Sequence, residues 1–503
     1  MLDGLASYIA GIVDSQMFVS VHVLLIVVHV ILLGVAYLVM AERKISAYIQ
    51  DRIGPNRVGL DFGLPFLKFL STTGFTKGLW GLGQPLADGV KFLLKEDYTP
   101  GRVDKALFTL APVLIIVPAL IGFAVIPWGG LWDMPPITDY AITNFFFGLP
   151  LIGGFLEQAF GHLGGETVVI AGANVNVGII YLLAVASIGV YGVTLGGWAS
   201  NSKYSFLGGL RATAQMISYE IPLGLSLLAV LLVVGSVMPQ KIIEYQVDHG
   251  PMLLAQPLAC ILFFIAILAE ANRAPYDNAE AEQELVGGYH TEYSSMRFAL
   301  FFLAEYAHMV TSGAFFVLLF FGGYHLAVGI PAIDQFFAWT EPGFAETGLL
   351  GLAVVIGKAL IFFSKVVLLV CFQMVIRWTI PRLRYDQIMM LGWQSLIPIS
   401  LTVVVVSSIA VHLGLAPDTL VERGTLPAWL AWTPLFGINL VLLAGVVMGQ
   451  GLLPRSTRNA KLPLYGSRFS PVEGEAVRTA PSNPTALEDR PIQGTTQNPV
   501  QPA

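Results

Sequence analysis

Charged residues are scarce in this chain of 503 residues. Asp, Glu, Lys and Arg together make up 12% of the sequence, whereas hydrophobic residues make up 55%. Soluble globular domains carry roughly twice that share of charge, about 25%. The composition therefore excludes an ordinary soluble protein and predicts a chain that crosses a membrane several times.

Cysteines and nucleotide-binding patterns are also lacking. The two cysteines, Cys260 and Cys371, lie in separate apolar runs, and the sequence has no CxxC pattern. This argues against an iron–sulfur cluster or zinc site held by this chain. Neither GxGxxG nor GxxxxGK[ST] occurs, so a flavin, nicotinamide or other nucleotide site is not indicated. We expect no metal, no covalently bound cofactor and no nucleic-acid partner.

Nine long apolar segments make up most of the chain. Continuous apolar stretches of this length predict transmembrane helices, and they do not fit the alternating pattern of a β-barrel. The expected fold is an all-α polytopic membrane protein with a transmembrane domain at 1–453. The nine spans are expected at about 17–40, 105–127, 177–198, 212–236, 253–272, 298–322, 352–380, 395–414 and 429–452.

A further helix is predicted to lie in the membrane interface. In the segment "GQPLADGVKFLLKED", Leu86, Val90, Leu93 and Leu94 recur at helical spacing, while Asp88 lies away from them. Such a short amphipathic helix lies along the membrane surface and does not span it.

Lysine and arginine are distributed unevenly between the two sides of the membrane. The connection 41–104 carries nine of them, whereas 128–176 and 323–351 carry none. In a bacterial inner membrane, the positive-inside rule then places the N-terminus in the periplasm and the C-terminus in the cytoplasm. The segment 454–503 is polar and rich in Pro, Ser and Thr, which predicts a disordered cytoplasmic tail.

An acidic stretch follows the fifth apolar segment directly. Its sequence, "EANRAPYDNAEAEQELVGGYHTEY", holds one strong base, Arg273. Its six carboxylates are Glu270, Asp277, Glu280, Glu282, Glu284 and Glu292. Crowding beside lipid would raise the pKa of these carboxyls through desolvation and like charge, so they could exchange protons near neutral pH. A solvated loop without a proton role is the alternative.

Further ionisable residues lie within the predicted spans. Glu220 lies in the fourth span, Glu305 in the sixth and Lys365 in the seventh. Such residues are costly in lipid and by default mark ion or proton pathways. We predict a proton route that leads from the acidic stretch through Glu270, Glu220 and Glu305 to Lys365.

Several motifs together closely resemble one family. They are "AERK…YIQDRIGPNRVG", "QPLADGVKFLLKED", "ATAQMISYE", "EANRAPYDNAEAEQELVGGYHTEYSSMRFALFFLAEY" and "PRLRYDQIMMLGW". In this order, over about residues 17–415, they resemble the H subunit (NuoH type) of respiratory complex I, the proton-pumping NADH:quinone oxidoreductase.

The resemblance implies an enzyme subunit with quinone as substrate and no catalytic residue on this chain alone. In that family the subunit joins the membrane arm to the peripheral arm and shares a quinone chamber with 49-kDa-type and PSST-type subunits. Lipid and the small membrane subunits A, J and K are further partners. The residues carried over to the chamber are Arg43, Tyr48, Arg52, Asp88, Phe302 and Arg377. The opening for quinone is expected between the first span, the sixth span and the amphipathic helix, and the acidic stretch with Glu220 and Glu305 resembles the start of the family's proton route.

Three segments depart from the family pattern: an insertion at 60–80, the long outer connection 128–176, and the ninth span with its tail. Three other functions stay open. One is the homologous membrane subunit of a membrane-bound hydrogenase, and another is the same subunit in a ferredoxin-fed quinone oxidoreductase. The third is a stand-alone proton-coupled transporter, whose site would lie at mid-membrane, whereas these charges cluster at one face.

Overall fold

Long apolar helices dominate the structure. The computed structural model describes residues 13–56, 58, 81–136, 138, 143, 153–277, 287–326, 337–341, 348–427 and 430–449. The helices, numbered in chain order, are α1 (Ser15–Ile49), α2 (Gln84–Leu94), α3 (Lys105–Ile121), α4 (Gly153–Phe160), α5 (Gly178–Ala199), α6 (Lys203–Val234), α7 (Pro239–His249), α8 (Met252–Ala255), α9 (Pro257–Glu270), α10 (Ser295–Phe320), α11 (Gly348–Thr379), α12 (Tyr385–Met390), α13 (Ile397–His412), α14 (Pro417–Glu422) and α15 (Thr433–Gly449).

Seven helical segments in the described part of the chain are long and apolar enough to cross a membrane. They are α1, α3 with its 3₁₀ extension to Val125, α5, α6, α10, α11 and the stretch Tyr385–Glu422. The shorter apolar helices α9 and α15 lie where the fifth and ninth spans were expected. The all-α polytopic membrane fold is confirmed. The end of the transmembrane domain at 453 and the disordered tail stay predictions, because residues 450–503 lie outside the described part.

The fifth span differs from its prediction at 253–272. The helix breaks at Gln256, whose φ of −133° and ψ of 65° are not helical. Pro257 explains the break, because its ring disfavours helical geometry at the preceding residue. The Gln256 amide donates to the carbonyl of Ala229 on α6 at 3.0 Å, which anchors the break. The resulting α9 has 14 residues, about 21 Å, and is shorter than a hydrocarbon layer of about 30 Å.

A short two-stranded sheet lies in the connection between α3 and α5, where an all-α fold predicts no strand. Strand β1 (Leu131–Met134) pairs antiparallel with β2 (Glu166–Val169), with Leu131 opposite Val169. The Gln16 side chain joins this sheet to the start of α1. It donates to the Val169 carbonyl at 2.9 Å and accepts from the Val169 N–H at 2.8 Å. This long-range contact is not visible in the local sequence pattern.

The core forms where α9 and α10 meet between the longer helices. The ring of Phe263 on α9 lies 5.4 to 6.1 Å from those of Phe315, Phe316 and Phe320 on α10. Aromatic pairs at these distances add to the stability gained from burial alone. The described site residues all lie in the first of the two units into which the chain divides, Met1–Leu443. The α9–α10 contact therefore fixes the end of α9 beside α10, where the site begins.

Candidate functional site

The turn after α9 carries the acidic stretch into the interior. Asn272 takes a positive φ of 50°, a conformation that Asn adopts more readily than most residues. The Gln215 amide of α6 holds the turn by donating to the Asn272 side chain at 3.1 Å and to the Tyr276 carbonyl at 2.8 Å. Arg273 and Asp277 are therefore buried, with 2% and 4% of their surfaces exposed.

Arg273 forms a buried ion pair with Glu305 of α10. Its Nη2 lies 3.2 Å from Glu305 Oε2, and the Tyr289 hydroxyl donates to Glu305 Oε1 at 2.7 Å. The guanidinium also lies over the rings of Tyr306, at 4.4 Å, and Phe302, at 5.7 Å. A buried ion pair is stable only with such additional contacts, because removing both charges from water costs several kcal/mol per ion.

A second ion pair, between a partly buried arginine and a buried carboxylate, joins α11 to α1. Arg377 Nη1 contacts Glu42 Oε1, and the hydroxyl of Tyr306 donates to Glu42 Oε2. The ring of the same tyrosine lies against Arg273. Tyr306 therefore connects the two ion pairs, and we call the contacts from Arg377 through Glu42, Tyr306 and Arg273 to Glu305 the charge relay.

Asp277 forms a third pair beside the charge relay. Its Oδ2 lies 3.1 Å from Arg382 Nη2. Burial raises the pKa of Asp277 to about 6, although Arg382, Arg377 and Arg273 each oppose that rise. Taken together, the three pairs match three carboxylates with three guanidinium groups, so that the cluster is neutral when all six are charged.

We expect Asp277 to make stability depend on pH between about 4 and 6. Because its pKa is higher in the native state than in the unfolded chain, its stabilising contribution is present below about pH 4 and is lost as the pH rises through 6. The Asp277→Asn variant has no carboxyl to ionise at this position, so it does not lose stability in this pH range. Its midpoint of thermal unfolding, measured relative to the wild type, should rise by a few degrees between pH 4.5 and 6.5 and stay level above that. A difference that is the same at every pH would contradict this.

A cavity of about 50 Å³ lies beside the Arg273–Glu305 pair, among α3, α5, α6, α10 and the end of α9. Its lining is mostly apolar, but Glu270, Glu305 and His308 also line it. His308 Nε2 lies 3.6 Å from Glu270 Oε1. On α6, Glu220 accepts a hydrogen bond from the Ser187 hydroxyl and repels the Glu270 carboxylate. Three of the predicted proton-route carboxylates are thus brought together.

Lys365, at the end of the predicted proton route, lies elsewhere in the fold. Its ammonium donates to the backbone carbonyls of Phe321 at 2.8 Å, Gly323 at 3.0 Å and His325 at 2.5 Å. These carbonyls follow the last turn of α10. They begin 16 residues after Glu305, or about 24 Å along the helix. The structure gives Lys365 a helix-capping position.

Helix α2 lies against α1 and α10, and contacts involving predicted chamber residues hold it there. Arg43 Nη1 of α1 lies 2.7 Å from Asp88 Oδ2 of α2, and the hydroxyl of Ser295 donates to a backbone carbonyl of α2 at 2.8 Å. Tyr48 and Arg52 are exposed at the end of α1. The predicted chamber residues therefore fall into two groups, one around α2 and one, with Phe302 and Arg377, at the charge relay.

Some predicted residues cannot be placed, and some site residues were missed. Glu280, Glu282 and Glu284 and the insertion 60–80 lie outside the described residues, and Glu292 is partly exposed. The sequence patterns did not assign site roles to Glu42, Arg273, Tyr289, Tyr306 or His308. The one local signal was adjacency, since Glu42 precedes Arg43 and Tyr306 follows Glu305.

Comparisons with known proteins show the family. The NADH dehydrogenase family model matches residues 22–408. An NADH-quinone oxidoreductase H subunit of Geobacter sulfurreducens, numbered H 1, is 42% identical over 399 residues, which cover 79% of this chain and 96% of the relative. For the H 1 subunit of Cytophaga hutchinsonii the identity is 40% over 377 residues, 75% of this chain and 92% of the relative. The H subunit of Leptospira biflexa is 41% identical over 383 residues, 76% of this chain and 91% of the relative.

This chain belongs to the NADH dehydrogenase family of H subunits. The resemblance to that family is therefore confirmed. The matched residues of this H subunit contain every member of the charge relay together with Glu220, Glu270 and His308, whereas α15 lies beyond the match.

Proposed function

We propose that this chain is the membrane subunit of a proton-translocating NADH-quinone oxidoreductase that contributes to the quinone chamber and couples quinone reduction to proton translocation. Its relatives are named as H subunits of an NADH-quinone oxidoreductase. Electrons reach the quinone from partner subunits, and this chain binds the substrate and responds to its charge.

The charge relay is the observation that carries the proposal. A reduced quinone is negatively charged until it is protonated, and near Arg377 it competes with Glu42 for the guanidinium. Glu42 would then depend more on the Tyr306 hydroxyl, whose ring contacts Arg273. Charges interact strongly in a medium of low polarity. The change in charge at Arg377 therefore acts on Glu305 along the contacts of the charge relay as well as through space. The cluster thus links an electron-transfer event to a carboxylate that borders a cavity.

We assign the opening of the quinone chamber to the space bounded by α1, α10 and α2, because contacts of Arg43, Asp88 and Ser295 fix these helices together. Leu93 and Leu94 of α2 are 66% and 81% exposed, as expected for a helix that meets lipid or a quinone tail. Tyr48, Arg52, Phe302 and Arg377 complete the proposed chamber. The 49-kDa-type and PSST-type subunits would cover it, and the small subunits A, J and K would lie along the membrane arm of a bacterial inner membrane.

For the proton route we assign Asp277, Glu270, Glu220 and Glu305, together with the acidic residues 280, 282, 284 and 292. Glu270 and Glu305 line the cavity, Glu220 interacts with Glu270, and the other acids follow Glu270 in the sequence. Lys365 would need intermediate groups to receive a proton from Glu305. In our proposal it belongs to the far end of the route.

Glu220→Gln in the assembled complex tests the route. The substitution keeps a hydrogen-bond acceptor for Ser187 but cannot exchange a proton. In proteoliposomes, NADH oxidation coupled to proton pumping should fall by about tenfold or more, while assembly is unchanged. Glu422→Gln, an exposed acid at the end of α14, is the matched control and should pump normally.

Normal quinone reduction together with normal pumping in Glu220→Gln would rule out the route. Purification of the intact complex from native membranes identifies the electron donor, because cluster-bearing partners with inhibitor-sensitive NADH oxidation support the NADH-fed enzyme. Partners with a nickel–iron hydrogenase or a ferredoxin site would move the chain to those relatives, and a chain that purifies alone would favour a transporter.

A further inference from the structure

His308 lies one turn after Glu305 on α10 and lines the same cavity. Its Nε2 is 3.6 Å from the Glu270 carboxylate, which is too far for a direct hydrogen bond. Within the described part of the chain, this buried nitrogen has no hydrogen-bond partner. A buried polar atom left without a partner costs about 1–3 kcal/mol, so its position beside a cavity needs a reason.

Two carboxylates line the cavity with this imidazole, and a third interacts with one of them. Glu270 approaches from the end of α9, Glu305 lies on the same helix, and Glu220 lies beside Glu270 on α6. Tyr289 contributes a hydroxyl that is already bonded to Glu305, while α3 and α5 contribute apolar side chains to the cavity wall. Glu305 has Arg273 as its cation. For Glu270, the cation within reach is a protonated His308.

The cavity has room for the missing partner. Its volume of about 50 Å³ exceeds the roughly 10–15 Å³ that one water needs. A water there could bond to His308 Nε2 and to carboxylate oxygens of Glu270 and Glu305. These supply the two to four polar partners that buried water requires.

We propose that His308 is a proton-transfer residue that connects Glu270 to Glu305 through water in this cavity. The inference rests on the proton route proposed above. A cavity water gives a proton to the Nε2 lone pair and takes the proton of the Glu270 carboxyl, which leaves a carboxylate and an imidazolium on either side of that water. The imidazolium then gives its Nε2 proton to the cavity water, and that water passes a proton to Glu305. The imidazole and the water are restored, and one proton has moved from Glu270 to Glu305.

The transfer has a direct consequence for the charge relay. Once Glu305 is protonated, it no longer offers a charge to Arg273, and the 3.2 Å ion pair weakens. His308 would thus control when Arg273 is released, although it acts on Arg273 only through Glu305.

The test uses His308→Gln and His308→Ala in the assembled complex, reconstituted in proteoliposomes. Coupled NADH oxidation at neutral pH should fall by about tenfold or more in both variants, and its pH profile should lose the step that belongs to the imidazole. Added imidazole, which fits the space left by the removed ring, should restore part of the rate in His308→Ala. The matched control is His29→Gln, because the exposed His29 ring on α1 bonds to the Leu25 carbonyl at 2.7 Å and lies outside the site.

Each other outcome would overturn the inference. Normal pumping and a normal pH profile in His308→Gln would exclude a transfer role. A loss that imidazole does not restore, with the pH profile unchanged, would make His308 a packing residue, and so would failure of both variants to assemble. If Glu220→Gln pumps normally, the proposed route itself fails. If Glu220→Gln is defective while His308→Gln is normal, His308 alone is wrongly assigned.

Discussion

Replacing Arg273 with methionine should destabilise the complex by about 3–5 kcal/mol and abolish coupled turnover. The substitution keeps much of the side-chain volume but leaves Glu305 as a buried charge that has lost its cation, although Tyr289 still donates to it. It also removes the cation that lies over Tyr306. Thermal unfolding of the purified complex and proton pumping in proteoliposomes would measure the two effects.

A double substitution separates stability from function in this pair. Arg273→Met combined with Glu305→Leu removes both charges, and replacing a buried ion pair by apolar groups is often neutral or stabilising. We therefore expect the double variant to regain most of the lost stability but not proton pumping. Arg384→Met, at an exposed arginine, is the control and should be close to wild type. If the double variant is as unstable as Arg273→Met, the pair is not the cause of the loss.

Replacing Glu42 with leucine should have the second largest effect. Arg377 would lose the carboxylate that neutralises it, and the hydroxyl of Tyr306 would lose its acceptor. The expected cost is about 3 kcal/mol or more, together with a raised KM for quinone, because Arg377 would no longer be held in place. Unfolding of the purified complex and the quinone dependence of NADH oxidation would show both.

An exposed ion pair provides the comparison for Glu42. Asp97 pairs with Arg297 at 3.5 Å with 45% of its side chain exposed, and such pairs contribute about 0–1 kcal/mol. Asp97→Leu should therefore change stability little. Equal losses of stability in Glu42→Leu and Asp97→Leu would show that the Glu42–Arg377 pair stabilises the complex no more than an exposed ion pair does.

Hydrophobicity predicted where the helices lie, but it did not locate their ends. The fourth span was expected at 212–236, whereas α6 begins at Lys203. Its first turns carry polar residues, and tertiary packing keeps them helical. The break at Gln256 was encoded in the sequence by Pro257, but a run of apolar residues across it concealed the break. The β1–β2 sheet is hydrogen-bonded to Gln16, which lies more than 100 residues before β2 in the sequence. No local pattern reveals such a contact.

The candidate site was predictable in its residue types but not in its pairing. Costly charges in apolar segments were enough to indicate Glu220 and Glu305. The partner of Glu42 is 335 positions away, so the local sequence shows no trace of that pair. Lys365 has the same intramembrane signal as Glu305, and nothing in the sequence pattern predicted its contacts with three backbone carbonyls.

The length of α1 has a consequence for the path of the substrate. The helix has 35 residues, about 52 Å, and the hydrocarbon layer is about 30 Å thick. Glu42 lies 27 residues after Ser15, about 40 Å along the axis. With the start of α1 at the outer boundary, the Glu42–Arg377 pair stands about 10 Å beyond the hydrocarbon on the other side. In the function proposed above, a quinone headgroup that meets Arg377 would therefore have left the lipid. Each turnover would then include the extraction and return of a hydrophobic molecule, a step whose rate depends on the surrounding bilayer as well as on this protein.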